Sequence, residues 1–176
     1  MRCQLLFLGA VALAGCTAEI PVFDGDDPKQ EICAGTVCFA PEHVAVRKWG
    51  EAHQTVAAWR GGKACDLPRA GVPAEAIAGQ SVVVELHGAK AGARVPVVSK
   101  SRRDEQEGPW VTLHALRVDA ASGRAWADEE AIAGEATVLD LDSARGFLRI
   151  RVLAKWSSGV TSELLLDVSG GPPCVP

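Results

Sequence analysis

The 176-residue sequence predicts an all-β fold, an antiparallel β-sandwich or barrel-like domain that follows an N-terminal signal peptide and tether. Three observations point there. Apolar and polar residues alternate strictly near the C-terminus, eight short apolar runs are separated by Gly, Pro, Ser or Asp clusters, and only two brief segments hint at a helical turn.

The chain opens on Met1 and Arg2, followed by the apolar run Leu5-Leu6-Phe7-Leu8-Gly9-Ala10-Val11-Ala12. That run is too short to span a bilayer, and with its basic start it reads as a secretion signal over residues 1–15. It closes on Leu13-Ala14-Gly15-Cys16, which resembles the lipobox of bacterial lipoproteins. The resemblance implies cleavage before Cys16, a diacylglycerol on its sulfur and acylation of the new amino group. Small residues at Ala14 and Gly15 suit an extended strand in a protease cleft, and Cys16 supplies the thiol. Two or three acyl chains, at roughly 0.8 kcal/mol per buried CH₂, would hold the protein on a membrane essentially for good. Thr17 stands where an Asp would, by resemblance to enterobacterial lipoproteins, favour inner-membrane retention. The outer membrane is therefore the expected address.

Residues 16–31 read as a lipidated tether. Pro21, Pro28, Gly25 and the acidic group Asp24, Asp26 and Asp27 leave little apolar content after Phe23. A calcium loop would need an oxygen ligand where Pro28 stands, with a glycine and a distal glutamate in step. Residues 32–176 are then a single β-rich, disulfide-bonded domain, long enough to bury a core. Without Arg2 the mature chain carries 17 basic and 22 acidic residues. An acidic surface of that kind disfavours nucleic acid. Arginine outnumbers lysine twelve to six, and asparagine and tyrosine are absent, which suits a GC-rich genome.

Cys3 leaves with the signal and Cys16 takes the lipid, so Cys33, Cys38, Cys65 and Cys174 remain in an oxidising compartment, and two disulfides are expected. Four cysteines allow three pairings. We expect Cys33 with Cys38 as a local clip and Cys65 with Cys174 as a long closure, the latter constraining the unfolded chain by about 4 to 5 kcal/mol. Zinc would want paired short spacings, which a single Cys-x₄-Cys does not supply.

Strands are expected over 43–49, 54–59, 81–87, 95–99, 110–118, 135–142, 147–156 and 160–168. Helical turns are hinted at over 73–79 and 128–134. The last two strands carry the clearest pattern. Leu148, Ile150, Val152, Ala154 and Trp156 alternate with Arg149, Arg151 and Lys155, and Val160, Ser162, Leu164, Leu166 and Val168 alternate on the return. A three-residue loop, Ser157-Ser158-Gly159, pairs Trp156 with Val160, Val152 with Leu164 and Ile150 with Leu166, with Gly159 at positive φ. A two-residue loop would set apolar against polar. The same register puts Arg149 opposite Asp167 and Glu163 diagonal to Arg151.

Catalytic and nucleotide motifs are missing. No Gly-x-Ser-x-Gly or His-Glu-x-x-His occurs, and Gly62-Lys63 lacks the rest of a phosphate loop. No catalytic, cofactor-binding or metal residue is therefore assigned, and no cofactor is expected. His43, His53, His87 and His114 read as isolated strand histidines, although His87 and His114 could share a face if their strands adjoin. Asp128, Glu129 and Glu130 are contiguous acids read as a solvated turn pointing outward. Trp49, Trp59, Trp110, Trp126 and Trp156 read chiefly as core caps, with ligand stacking as the alternative. Lys100 to Arg103 followed by Asp104 to Glu107 reads as a mobile mixed-charge loop.

Beyond the lipobox, the central Cys65 after an apolar strand, the strand unit between Gly134 and Gly146, and the closing hairpin near Cys174 look like envelope lipoproteins of GC-rich myxobacteria. The likeness spans residues 40–175, carries no catalytic or binding residue across, and is broken by the charged Arg102 to Glu107 loop. The expectation is a membrane-anchored envelope lipoprotein, a non-catalytic structural or binding module. It would be held to the membrane by the lipid on Cys16, with a protein or polysaccharide as partner. The alternatives are a small-ligand or carbohydrate-binding β-domain and an enzyme with an unrecognised site.

Overall fold

The computed structural model describes residues 31–49, 52–61, 79–119, 122, 125–142 and 147–168. The signal, Cys16, the tether up to residue 30, Cys65, Cys174 and the hinted turn over 73–78 lie outside them. The fold is all-β. Two short strands, β1 (Ile32–Ala34) and β2 (Val37–Phe39), form a hairpin. Eight more make one curled sheet: β3 (His43–Trp49), β4 (His53–Arg60), β5 (Gly79–His87), β6 (Arg94–Val98), β7 (Trp110–Val118), β8 (Ala125–Asp142), β9 (Phe147–Trp156) and β10 (Thr161–Val168). Their order is β10-β9-β8-β6-β7-β5-β4-β3. All pairings are antiparallel except a brief parallel contact of β6 with β7 at Val97 and Val111.

The β9–β10 hairpin has the register its alternation demands. Val152 faces Leu164 and Ile150 faces Leu166. The Trp156 N–H donates to the Val160 carbonyl at 2.8 Å, and Gly159 turns the chain at φ 88°. On the solvent face Arg151 meets Glu163 at 3.1 Å. Arg149 Nε comes within 3.3 Å of Asp167, close enough for ion pairing but off the line of a hydrogen bond.

Strand β8 corrects the helical turn hinted at over 128–134. Alanine and acid content favours helix locally, but both edges of this segment are taken up by ladders, and tertiary pairing overrides propensity. Its first part pairs with β7, from Ala125 opposite Val118 to Glu130 opposite His114. Its later part pairs with β6, from Ala133 opposite Val98 to Thr137 opposite Arg94. The other edge runs along β9 from Ala131 to Asp142. Strand β6 thus fills the gap where β7 and β8 diverge. A register shift between Ala131 and Ala133 lets β8 bend there. Gly134 follows at φ 149°, where a Cβ would lie 2.1 Å from the Leu153 carbonyl oxygen, so only glycine fits.

One apolar cluster fills the inner face of the curl. It joins Val56, Val84, Leu113, Val97, Val138, Ile150 and Leu166 from the sheet to Ile32, Ala34, Val37 and Phe39 from the β1–β2 hairpin, which closes over it. Alternation in the sequence does not reveal this hairpin, since three-residue strands are too short to show a period. The two halves of the sheet differ on the outer face. Strand β9 alternates buried and exposed side chains, whereas β4 and β7 are buried on both faces along most of their length. A sheet covered on both sides loses its period-two signature. That doubly covered half holds the polar groups of interest.

Candidate functional site

Antiparallel register sorts the odd-numbered residues of β4 and β5 and the even-numbered residues of β7 onto the outer face, opposite the core. Four rungs result. His53, His87 and Trp110 form the first, and Thr55, Glu85 and Thr112 the second. Ala57, Val83 and His114 form the third, and Trp59, Ser81 and Leu116 the fourth. Strand β8 extends the last two with Glu130 and Asp128.

In the first rung the two imidazoles meet, with His87 Nδ1 and His53 Nδ1 3.2 Å apart and ring centroids 4.3 Å apart. The Trp110 indole stacks on His87 at 5.2 Å and 21°, and lies edge-on to His53 at 5.4 Å. Trp110 itself is buried, and its ring packs against both imidazoles from the neighbouring strand. In the second rung Glu85 Oε2 accepts from Arg103 Nη1 at 3.2 Å and from Thr112 Oγ1 at 3.3 Å. Arg103 belongs to a 3-10 helix, Lys100–Glu105, which lies over β7. The stretch read as a mobile loop is therefore pinned to the sheet through its own guanidinium.

The third rung carries a chain of three side chains. His114, 8 % exposed, has Nε2 2.5 Å from Asp128 Oδ1 and Nδ1 3.4 Å from Lys100 Nζ. An ammonium can only donate, so Nδ1 accepts and Nε2 carries the proton that goes to Asp128. The order carboxylate, imidazole, third polar group has the form of a nucleophile-activating triad. Here, however, the third member is an exposed ammonium, which has no lone pair to attack with. The chain ties the 3-10 helix to β7 and β8, aided by Glu130 Oε1, which accepts from the Lys100 backbone N–H.

The acids read as one outward-facing turn are separated by the strand they occupy. Asp128 and Glu130 face outward to different partners, while Glu129 points inward and is 3 % exposed. Its carboxylate accepts from Thr36 Oγ1 at 2.7 Å and Thr36 N at 3.3 Å in the β1–β2 turn, and from Ser158 N at 3.2 Å and Ser157 Oγ at 3.3 Å in the β9–β10 turn. Burial alone would push its carboxyl up, but the hydrogen bonds from Thr36 and Ser158 outweigh that and hold it below the ordinary glutamate range. Gly35, at φ 61°, packs so closely that a Cβ would sit 2.8 Å from the Glu129 Cδ. Glu129 thus locks the hairpin onto the end of the sheet.

The four histidines are not isolated strand residues. His87 and His114 do share the outer face, but four residues of strand separate their rungs, about 13 Å. The partner of His87 is His53, and His43 packs its ring 5.3 Å from Trp59. None of these three histidines is isolated. Among the tryptophans, Trp156 is buried in the core cluster, Trp59 and Trp110 are buried on the outer face, and Trp126 is 73 % exposed with the Arg117 guanidinium 6.0 Å from its ring. Trp49 stands opposite His53 on β3. Cys33 and Cys38 are joined by a disulfide across β1 and β2. Among the described residues no three metal-ligating side chains converge, and no helix is long and apolar enough to cross a membrane. Comparison of the chain with protein-family models, with curated proteins and with solved structures gives no match.

Proposed function

We propose that the protein is a lipid-anchored envelope lipoprotein whose β domain is a non-catalytic structural or binding module for a protein or polysaccharide. The observation that carries the module reading is the apolar cluster that, among the described residues, joins side chains of the sheet and the β1–β2 hairpin across the inner face. A barrel that carries a small ligand keeps that volume open, so recognition here falls to the outer surface. There, among the described residues, the polar groups of β4, β5 and β7 engage one another and the neighbouring 3-10 helix and β8, and Trp126 with Arg117 offers an exposed aromatic for stacking. The address rests on Leu13-Ala14-Gly15-Cys16 and the acyl anchor that sequence implies.

Cell fractionation of the wild-type chain and of Cys16→Ser tests the reading. The wild-type protein is expected in the membrane fraction and extractable by detergent alone, with Cys16→Ser either accumulating unprocessed or released to the soluble fraction. Identical processing and partition of the two would refute the anchor.

A further inference from the structure

The geometry points to a two-nitrogen metal site at His53 and His87, one that takes a divalent transition ion of borderline softness, Cu²⁺ or Zn²⁺, on the outer face of β4 and β5. The two residues are direct cross-strand partners, so the backbone ladder rather than a loop sets their spacing. Their Nδ1 atoms lie 3.2 Å apart. Two metal–nitrogen bonds of about 2.0 to 2.1 Å, opened between a square and a tetrahedral angle, place their nitrogens about 2.8 to 3.4 Å apart. The observed separation falls inside that window without movement of either strand.

In the metal-free protein one Nδ1 must carry a proton and donate it to the other, since two lone pairs facing each other at this distance repel. A cation replaces that proton. The donating ring then holds its proton on Nε2 instead of Nδ1, so both imidazoles bind as neutral ligands and the proton count is unchanged. Trp110 restrains the rotation of both rings, which lowers the ordering cost of capturing the ion. His53 is exposed, so the ion has an open approach. Glu85, one rung away, is occupied by Arg103 and Thr112 and is not a ligand. The remaining coordination positions belong to water, which leaves them open to a donor from a partner.

Titration of the full-length mature protein with Cu²⁺, followed by electron paramagnetic resonance and by tryptophan fluorescence, tests the site. The expected result is one ion per chain, a spectrum split by two imidazole nitrogens, and quenching of the adjacent indole. His53→Ala and His87→Ala should each remove one nitrogen from the spectrum and weaken binding about a hundredfold, as expected when one of two linked ligands is lost. His114→Ala should leave the spectrum unchanged. Because the spectrum counts nitrogens on the bound ion, it reads the site even if a variant binds weakly, and far-ultraviolet circular dichroism checks that each variant is folded. A wild-type spectrum without two nitrogens, or one unaltered in both variants, overturns the proposal.

Discussion

Trp156→Ala is expected to lower the unfolding free energy by about 3 to 5 kcal/mol, the range for truncating a large buried aromatic. Trp156 is 0 % exposed and sits where β9 ends, opposite Ala131 at the point where β8 bends. Its indole Nε1–H donates to Ser162 Oγ at 2.8 Å, and its backbone N–H closes the β9–β10 turn. Truncation removes the ring from the core cluster and leaves a cavity that two hydrogen-bonded ladders cannot collapse to fill. Stability of a domain this size is about 5 to 15 kcal/mol, so this one change consumes a large share of it. Urea unfolding should show a lower midpoint with an unchanged slope. Trp156→Phe, which retains most of the volume but forfeits the Ser162 bond, should cost less than half as much. Equal losses in the two variants would mean that the hydrogen bond, not the packing, holds this corner.

Glu129→Ala is the second large effect, at about 2 to 4 kcal/mol, because it strips acceptors from Thr36, Ser157 and Ser158 at once. The loss should be felt first in the β1–β2 hairpin, which Glu129 ties to the β9–β10 turn. The charge gives this contact a pH signature. The folded carboxyl is held below the ordinary glutamate range, so in that range the unfolded chain binds the extra proton and stability rises with pH. The contribution is complete above the ordinary range and fades as pH falls through it toward the lowered folded value. Glu129→Gln keeps the size of the side chain and removes the titration, so its stability should vary less with pH across that acidic window than the wild type. Parallel pH profiles for the two proteins would show that Glu129 does not hold this charge.

Residue by residue, what was legible in the sequence depended on whether a short turn fixed the register. Between β9 and β10, strict alternation and Ser157-Ser158-Gly159 determine every pair from Leu148–Val168 to the turn. The His53–His87 pair has no such guide, because the chain between β4 and β5 spans residues 61–78 and the ladder between them is set by tertiary packing. Strand β7 was legible over its full length, Trp110–Val118, but its register was not, since burial on both faces turns alternation into a continuous run. The acids of β8 misled for a different reason. Contiguous charge reads as solvated surface, and nothing local reveals that Glu129 will meet Thr36, 93 residues earlier in the chain. The 3-10 helix over β7 was equally hidden, because Arg103 finds Glu85 only through the fold. The Cys33–Cys38 clip was the expected one among three pairings that the sequence leaves open, whereas the hairpin it crosses was not legible.

The most direct measurement is the intact mass of the protein extracted from membranes, taken with and without reduction before alkylation. A lipid-anchored envelope protein requires the mass of a chain that begins at Cys16 and carries acyl groups, with Cys33, Cys38, Cys65 and Cys174 alkylated only after reduction. A chain without lipid, or one whose cysteines alkylate before reduction, would contradict the envelope address.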